Sequence, residues 1–152
     1  MITHKQATDT HGKTLSQVMA NLLTYFVDNP SRRCVKNNVC FYSGDVFESD
    51  EIRGCLVGIL LNPDVAKWAD KDVDSGGSVA STMITGALDC GKEIPEIMLG
   101  HQGMFNRFQV LHDTANFWDA DGFNKEGKTQ LTTTILMNDE LNMDDFKHIL
   151  NA

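Results

Sequence analysis

Residues 54–63 read Gly54-Cys55-Leu56-Val57-Gly58-Ile59-Leu60-Leu61-Asn62-Pro63, an apolar block punctuated by small residues. The first half of this block overlaps the segment Ile52–Val57. That segment can pair as a strand with the β-branched and aromatic run Val39–Tyr42. The turn residues Ser43–Asp45 separate the two strands, so a β-hairpin is predicted. Asn62 is a good N-cap and Pro63 suits the first helical position, which predicts that a helix begins there.

Helix signals recur on both sides of this block. Thr14 and Gln17 form a capping box before an apolar stripe that ends near Pro30. Asp70–Ser78 has the composition of a loop. Further helices are predicted from Val79 to Leu88 with Gly91 closing it, from Met104 to His112, from an Asn124 cap through Leu136, and after an Asn142 cap.

These elements predict an α+β fold, a mainly helical single domain around a small antiparallel β-hairpin or sheet. The length of 152 residues, with 41% hydrophobic and 22% charged residues, is enough for one folded core. Residues 1–13 are polar and aperiodic and are predicted to be a flexible N-terminal arm, followed by a single globular domain over residues 14–152.

Charge and cysteine usage narrow the function classes. The 13 Lys and Arg against 21 Asp and Glu give a net charge of −8, which opposes binding to nucleic acid polymers and anionic membranes. A local arginine cluster can still hold a small anion through short-range hydrogen bonds. The four cysteines form no CxxC pair, so no metal site or cofactor is predicted, and we expect a cytosolic protein with reduced thiols.

Two acidic motifs point toward metal chemistry and both are incomplete. His112-Asp113 matches the paired ligands of HD-type metal-dependent phosphohydrolases, but the further His and Asp of that pattern have no clear counterpart. Asp119–Asn124 resembles part of a calcium loop, yet Phe117 and Lys128 occupy the first and last ligand positions. A turn that caps the next helix is therefore the preferred interpretation of Asp119–Asn124.

The remaining candidates suit a phosphorylated ligand with an aromatic base. Arg32 and Arg33, with Lys36 close behind, are the densest basic cluster, and guanidinium groups bind phosphate bidentately. Aromatic rings stack on bases. The full set of predicted ligand-binding residues is Arg32, Arg33, Lys36, Tyr42, Arg53, Arg107, His112 and Trp118. A surface or core role is the alternative for each of them.

The order of these motifs resembles that of small accessory proteins of tailed phages, over about residues 22–131. The motifs are Arg32-Arg33, then Cys40–Tyr42, then the block at residues 54–63, then Phe108–Asp113 and Trp118. The chain looks most like the tetrameric anti-CBASS sponges, which bind cyclic dinucleotides such as 3′3′-cGAMP.

This resemblance implies a phage immune-evasion protein that sequesters a cyclic nucleotide signal in the host cytoplasm without cleaving it. It also implies a homo-oligomer, with a tetramer among the forms expected. Two other functions stay open: a metal-dependent phosphodiesterase that uses His112 and Asp113, and an acidic protein-binding inhibitor of a host factor. The segment from Asp70 to Leu99 is expected to be a ligand lid or an oligomerisation arm.

Overall fold

The computed structural model describes residues 2–33, 35–36, 39–43, 54–72 and 80–152. These ranges contain seven α-helices and two short antiparallel strand pairs, which confirms the prediction of a mainly helical α+β fold. The helices are α1 (His4–Thr8), α2 (Leu15–Asp28), α3 (Pro63–Asp72), α4 (Ala80–Asp89), α5 (Gln102–Asp113), α6 (Lys125–Leu136) and α7 (Lys147–Leu150). The strands are β1 (Val35–Lys36), β2 (Val39–Cys40), β3 (Trp118–Asp119) and β4 (Gly122–Phe123).

The chain divides into two compact units. The first joins residues 1–31 to residues 114–152, and the second is residues 32–113. The prediction of a single domain over residues 14–152 stays a prediction. Among the described residues, no helix combines the length and the apolar character needed to cross a membrane.

The first unit is built around α2. Its predicted capping box is present, with Thr14 Oγ1 accepting from Gln17 N at 3.1 Å and Gln17 Oε1 accepting from Thr14 N at 2.9 Å. The apolar stripe is buried, and Leu22 and Phe26 are 0% exposed. Because the helix ends at Asp28, two residues before Pro30, the predicted terminus is also confirmed.

The N-terminal segment contains α1, which the sequence analysis did not predict. Thr3 and Gln6 form a capping box, and Ala7 is only 1% exposed where α1 packs on α2. Five residues with one buried side chain are too few to produce a detectable apolar stripe. The predicted flexibility of residues 1–13 concerns motion and stays a prediction.

A tight turn joins β3 to β4 and leads into α6. Asp121 N donates to Asp119 Oδ1 at 3.0 Å, and Gly122 has a φ of 116° that favours glycine. Asn124 then caps α6 by accepting from Gly127 N at 3.0 Å. The structure thus confirms the predicted turn and the helix from the Asn124 cap through Leu136.

In the second unit, α4 packs against α5. Ala80 N donates to Asn106 Oδ1 at 3.0 Å, and the buried contact includes Met83 and Phe105, both 0% exposed. Gly91 ends α4 with a φ of 71°, while Lys92 N donates to Ala87 O at 2.9 Å. The glycine-terminated helix predicted here is confirmed.

The predicted hairpin between residues 39–42 and 52–57 is wrong in its pairing. Val39 and Cys40 pair instead with Lys36 and Val35, whose short sequence separation makes the pairing less costly in loop-closure entropy. Residues 54–57 form no strand, although Cys55 N donates to Phe41 O at 3.0 Å. They lead into a 3₁₀ turn, Gly58–Leu60, and most of the predicted hairpin tip lies outside the described residues.

The predicted loop at residues 70–78 needs a second correction. Residues 70–72 belong to α3, which begins at Pro63 as predicted, and residues 73–78 lie outside the described residues. Asp70 is accommodated in α3 because its side chain hydrogen-bonds to the backbone of residues 42 and 43. A long-range contact here overrides local composition.

Candidate functional site

The loop of residues 54–61 is shaped by the close approach of another part of the backbone. A Cβ atom added to Gly58 would lie 2.1 Å from the carbonyl oxygen of Tyr42, and one added to Gly54 would lie 2.6 Å from the same oxygen. Only glycine fits at such distances. Gly54 and Gly58 are therefore required because the backbone of Tyr42 passes close to them, and not because of a positive φ.

Gln109 joins this loop to α5. Its Oε1 accepts from the backbone N–H of Val57 at 2.9 Å, and its Nε2 donates to Asp113 Oδ1 at 2.7 Å. Val57 is 0% and Gln109 is 3% exposed, so both groups are removed from water. The amide therefore satisfies a buried backbone donor and positions a carboxylate at the same time.

Asp113 Oδ1, the oxygen that accepts from Gln109, also contacts the imidazole of His112. Nδ1 of the imidazole lies 2.6 Å from Asp113 Oδ1, and the His112 residue is 0% exposed. Burial lowers the pKa of His112 below 6.5, while Asp113 raises it and the charge of Arg33 lowers it again. His112 is thus held as a neutral imidazole that donates from Nδ1 to Asp113.

Arg33 completes the arrangement at the C-terminal end of α5. Its Nε donates to the carbonyl oxygen of His112 at 2.9 Å. A guanidinium at this end of a helix is favoured by the helix dipole and satisfies a carbonyl of the last turn. The contact fixes the direction in which the Arg33 side chain runs.

Asp70 binds the backbone that runs past Gly54 and Gly58. Oδ1 accepts from Tyr42 N at 2.7 Å, while Oδ2 accepts from Ser43 N at 2.9 Å and from Ser43 Oγ at 2.5 Å. Two successive backbone N–H groups and a hydroxyl form a suitable binding site for an anion, and here the Asp70 carboxylate occupies it. The bonds connect α3 to residues 42 and 43.

Taken together, these contacts form a polar network of Arg33, Val57, Gln109, His112 and Asp113, which we call the α5 network. An Asp–His pair with Nδ1 on the carboxylate is the arrangement that orients a catalytic base. A catalytic base must also reach its substrate. In this structure the imidazole of His112 is fully buried. The α5 network connects the loop of residues 54–61 to α5 through the bond from Val57 N to Gln109.

The predicted site residues fall into three groups. Arg33 and His112 are in direct contact, Arg32, next to Arg33 in the sequence, is half-buried, and Arg107 is exposed on α5. Tyr42, at 2% exposure, and Trp118, at 8%, are buried, and Trp118 belongs to the first unit, where its ring packs on Phe123 with centroids 4.9 Å apart. Arg53 and the side chain of Lys36 lie outside the described residues. The ligand contacts of all eight stay a prediction.

The metal-dependent alternative gains no support from the described residues. Within them, no group of three or more His, Cys, Asp or Glu side chains is placed to hold a metal ion. His101, the nearest upstream histidine, lies at the opposite end of α5, where its carbonyl accepts from Met104 N. Comparison of the chain with protein-family models, with curated proteins and with solved structures found no match.

Two residues of the site were missed by the sequence analysis. Gln109 precedes Asp113 by four positions, a spacing that places both side chains on one helix face and was available from the sequence. Asp70 carried no such signal, since its partners lie 27 and 28 positions away.

Proposed function

We propose that this chain is a non-enzymatic phage protein that binds a cyclic dinucleotide defence signal and sequesters it in the host cytoplasm. The observation that supports binding without turnover is the α5 network. It uses the His112–Asp113 pair internally, with the imidazole 2.6 Å from the carboxylate and His112 0% exposed. The resemblance to sponge proteins supplies the ligand class and the homo-oligomeric form.

Arginine side chains support a phosphorylated ligand. Arg32 and Arg33 are adjacent, and Arg33 is oriented by its bond to His112 O at 2.9 Å. Arg107 adds an exposed guanidinium on α5. In a chain of net charge −8, the adjacent Arg32 and Arg33 offer a local site for an anion, because guanidinium–phosphate hydrogen bonds are short-ranged and strong.

A thermal-shift panel tests the proposal directly. The panel contains cyclic dinucleotides, cyclic trinucleotides and ADP-ribose-type signals, and each bound ligand is then released by denaturation and chromatographed. A sponge stabilised at 100 times Kd gains about 2.7 kcal/mol and returns the ligand intact. Recovery of a cleaved product, lost in His112→Ala, favours the phosphodiesterase, and a panel without any shift removes the sponge proposal.

Arginine variants locate the site. Arg107→Ala and Arg32→Ala should weaken binding by about tenfold or more, the loss expected for a charge-assisted hydrogen bond. Lys147→Ala, which removes an exposed cation in the first unit, is the matched control and should leave affinity unchanged. Arg33→Ala is less informative because it also removes the bond to α5. Equal affinity in the Arg32, Arg107 and Lys147 variants would place the ligand elsewhere.

One surface favours the acidic inhibitor as a second candidate. Leu136 and Met137 are 73% and 78% exposed at the end of α6, and Asp139 and Glu140 follow after one intervening residue, Asn138. Exposed apolar side chains bordered by carboxylates suit a basic protein partner. In that case, Met137→Lys should abolish partner binding, and no nucleotide of the panel should change the melting temperature.

A further inference from the structure

The first unit contains a polar pocket that the proposed function does not use. It has a volume of about 270 Å³ and is lined by Lys13, Gln17, Ala20, Asn21 and Asp145. Gln17 and Asn21 lie four residues apart on α2, so their amides share one helix face. Asp145 comes from the 3₁₀ turn Met143–Phe146, which Asn142 and Ser16 tie to α2 through a 2.9 Å hydrogen bond.

Several polar groups of this pocket are left for a ligand. Gln17 uses its Oε1 in the capping box, which leaves its Nε2 donors. The side chains of Asn21 and Asp145 make no hydrogen bond or ion pair with any residue that the structure describes. Gln17 is exposed, and Asn21 and Asp145 are half-buried, so these groups line the pocket where a ligand from solvent can reach them.

The charges of the pocket define the ligand. Lys13 Nζ lies 3.3 Å from Asp9 Oδ2, so its charge is already balanced, although the ammonium retains further donors. Asp145 has no such counter-ion among the described residues. The pocket therefore presents a carboxylate that favours a cation, and ammonium and amide donors that favour an anionic oxygen.

We propose that this pocket binds a small zwitterion of the free α-amino acid class. The ammonium group of the ligand would pair with Asp145, and its carboxylate would accept from Lys13, Gln17 and Asn21. The volume of 270 Å³ equals that of roughly nine water molecules in the liquid, which suits a molecule of this size. The residues involved all belong to the first unit, so the site is independent of the arginines proposed to bind a nucleotide.

Side-chain amide NMR of the 152-residue chain tests the proposal. Serine, glutamine and lysine are titrated to about 10 mM, tenfold above a Kd of about 1 mM. The NH₂ signals of Gln17 and Asn21, assigned by their loss in Gln17→Ala and Asn21→Ala, should shift and saturate for at least one amino acid. Ethanolamine, which lacks the carboxylate, and acetate, which lacks the ammonium, should bind at least tenfold more weakly. Equal binding of acetate or of ethanolamine, or no saturable shift, overturns the assignment.

Paired aspartate variants separate binding from folding. Asp145→Asn should weaken the zwitterion by about tenfold or more, since a charge-assisted hydrogen bond is lost. Asp144→Asn makes the same change one residue earlier, at a side chain that pairs with Lys147 at 3.0 Å, and should bind normally. If Asp145→Asn unfolds, Asn21→Ala measured by calorimetry replaces it. The same affinity in the pocket variants as in Asp144→Asn contradicts the proposal.

Discussion

Gln109 is the residue on which the loop of residues 54–61 most depends. Its side chain bonds to Val57 N at 2.9 Å and to Asp113 Oδ1 at 2.7 Å, and Gln109 itself is 3% exposed. Gln109→Ala should reduce the free energy of unfolding by about 3 kcal/mol, because the buried N–H of Val57 loses its partner and Asp113 loses one of the two groups that donate to its Oδ1. Urea denaturation measures this loss.

Gln102→Ala is the matched control for that variant. Gln102 is also on α5, but its side chain contacts Thr85 at an exposed position, 3.1 Å away. Its removal should change the stability by no more than about 0.5 kcal/mol. Equal effects of the two substitutions would show that the buried amide contributes nothing beyond helix propensity.

His112 makes stability depend on pH. Because burial lowers its pKa below 6.5, the unfolded chain takes up a proton at this residue before the folded chain does. The contribution of His112 to the free energy of unfolding is therefore fully present above pH 6.5. It decreases as the pH falls below that value, at a limiting slope of about 1.4 kcal/mol per pH unit.

Imidazole NMR tests this sign for His112 alone. The Cε1–H signal of His112, identified by its absence in His112→Asn, should titrate with a midpoint below 6.5. The other histidine whose pKa is lowered by burial, His4, contributes to the same trend in stability, so only the resolved signal is decisive. A titration midpoint for His112 at or above 6.5 would contradict the burial argument.

The sequence indicated Arg33, His112 and Asp113 as candidate site residues, but not the roles that they have in the α5 network. His112 and Asp113 were singled out as a reactive pair, since adjacent imidazole and carboxylate groups suit metal chemistry. Their exposure decides between chemistry and packing, and exposure depends on elements far away in the sequence. Tyr42 illustrates the same limit, since its burial at 2% follows from a loop twelve or more positions later.

At the scale of elements, two glycines are present for different reasons: Gly58 is crowded by a neighbouring backbone, whereas Gly103 has room for a side chain. Gly58→Ala should destabilise the protein by about 2–4 kcal/mol, because its Cβ would lie 2.1 Å from the Tyr42 carbonyl oxygen, and the backbone must move. Thermal unfolding of the variant measures the loss. A neutral substitution would mean that the loop and residue 42 separate freely.

Gly103→Ala provides the opposite expectation. A Cβ there meets only Arg107 Nη1 at 3.8 Å, an ordinary contact, and the position is helical. Alanine should stabilise α5 by up to about 1 kcal/mol, because glycine loses more backbone entropy in a helix. Destabilisation by this variant would indicate crowding on the exposed face of α5.

Helix termini were predictable, whereas strand pairing was not. Thr14, Asn124 and Gly91 act through bonds to residues a few positions away, so their signals are complete in the local sequence. The pairing of Val39–Cys40 was missed because β-propensity marks a strand without naming its partner. The same is true of Asp70, whose partners lie in another element.

For the molecule as a whole, the net charge of −8 has a measurable consequence. Fluorescence anisotropy with labelled single- and double-stranded DNA should show no binding at about 50 mM salt and micromolar protein, conditions in which nonspecific binders associate. Association that weakens steeply with added salt would show that the local arginines outweigh the overall field.

Composition was a reliable guide at this scale. Apolar content and helix signals predicted the mainly helical fold, because burial requirements are summed over many residues and tolerate local errors. The division into residues 1–31 with 114–152, and residues 32–113, was not visible in the sequence. No linker composition marks it, because the first unit is assembled from the two ends of the chain.

The bond between Val57 and Gln109 also orders events during synthesis. It joins residues 52 positions apart, and Asp113 must be present before the amide has both partners. A nascent chain therefore cannot complete the loop of residues 54–61 until residue 113 has left the ribosome. We therefore expect a chain truncated before Gln109 to protect the apolar side chains of this loop less well from water, which favours aggregation.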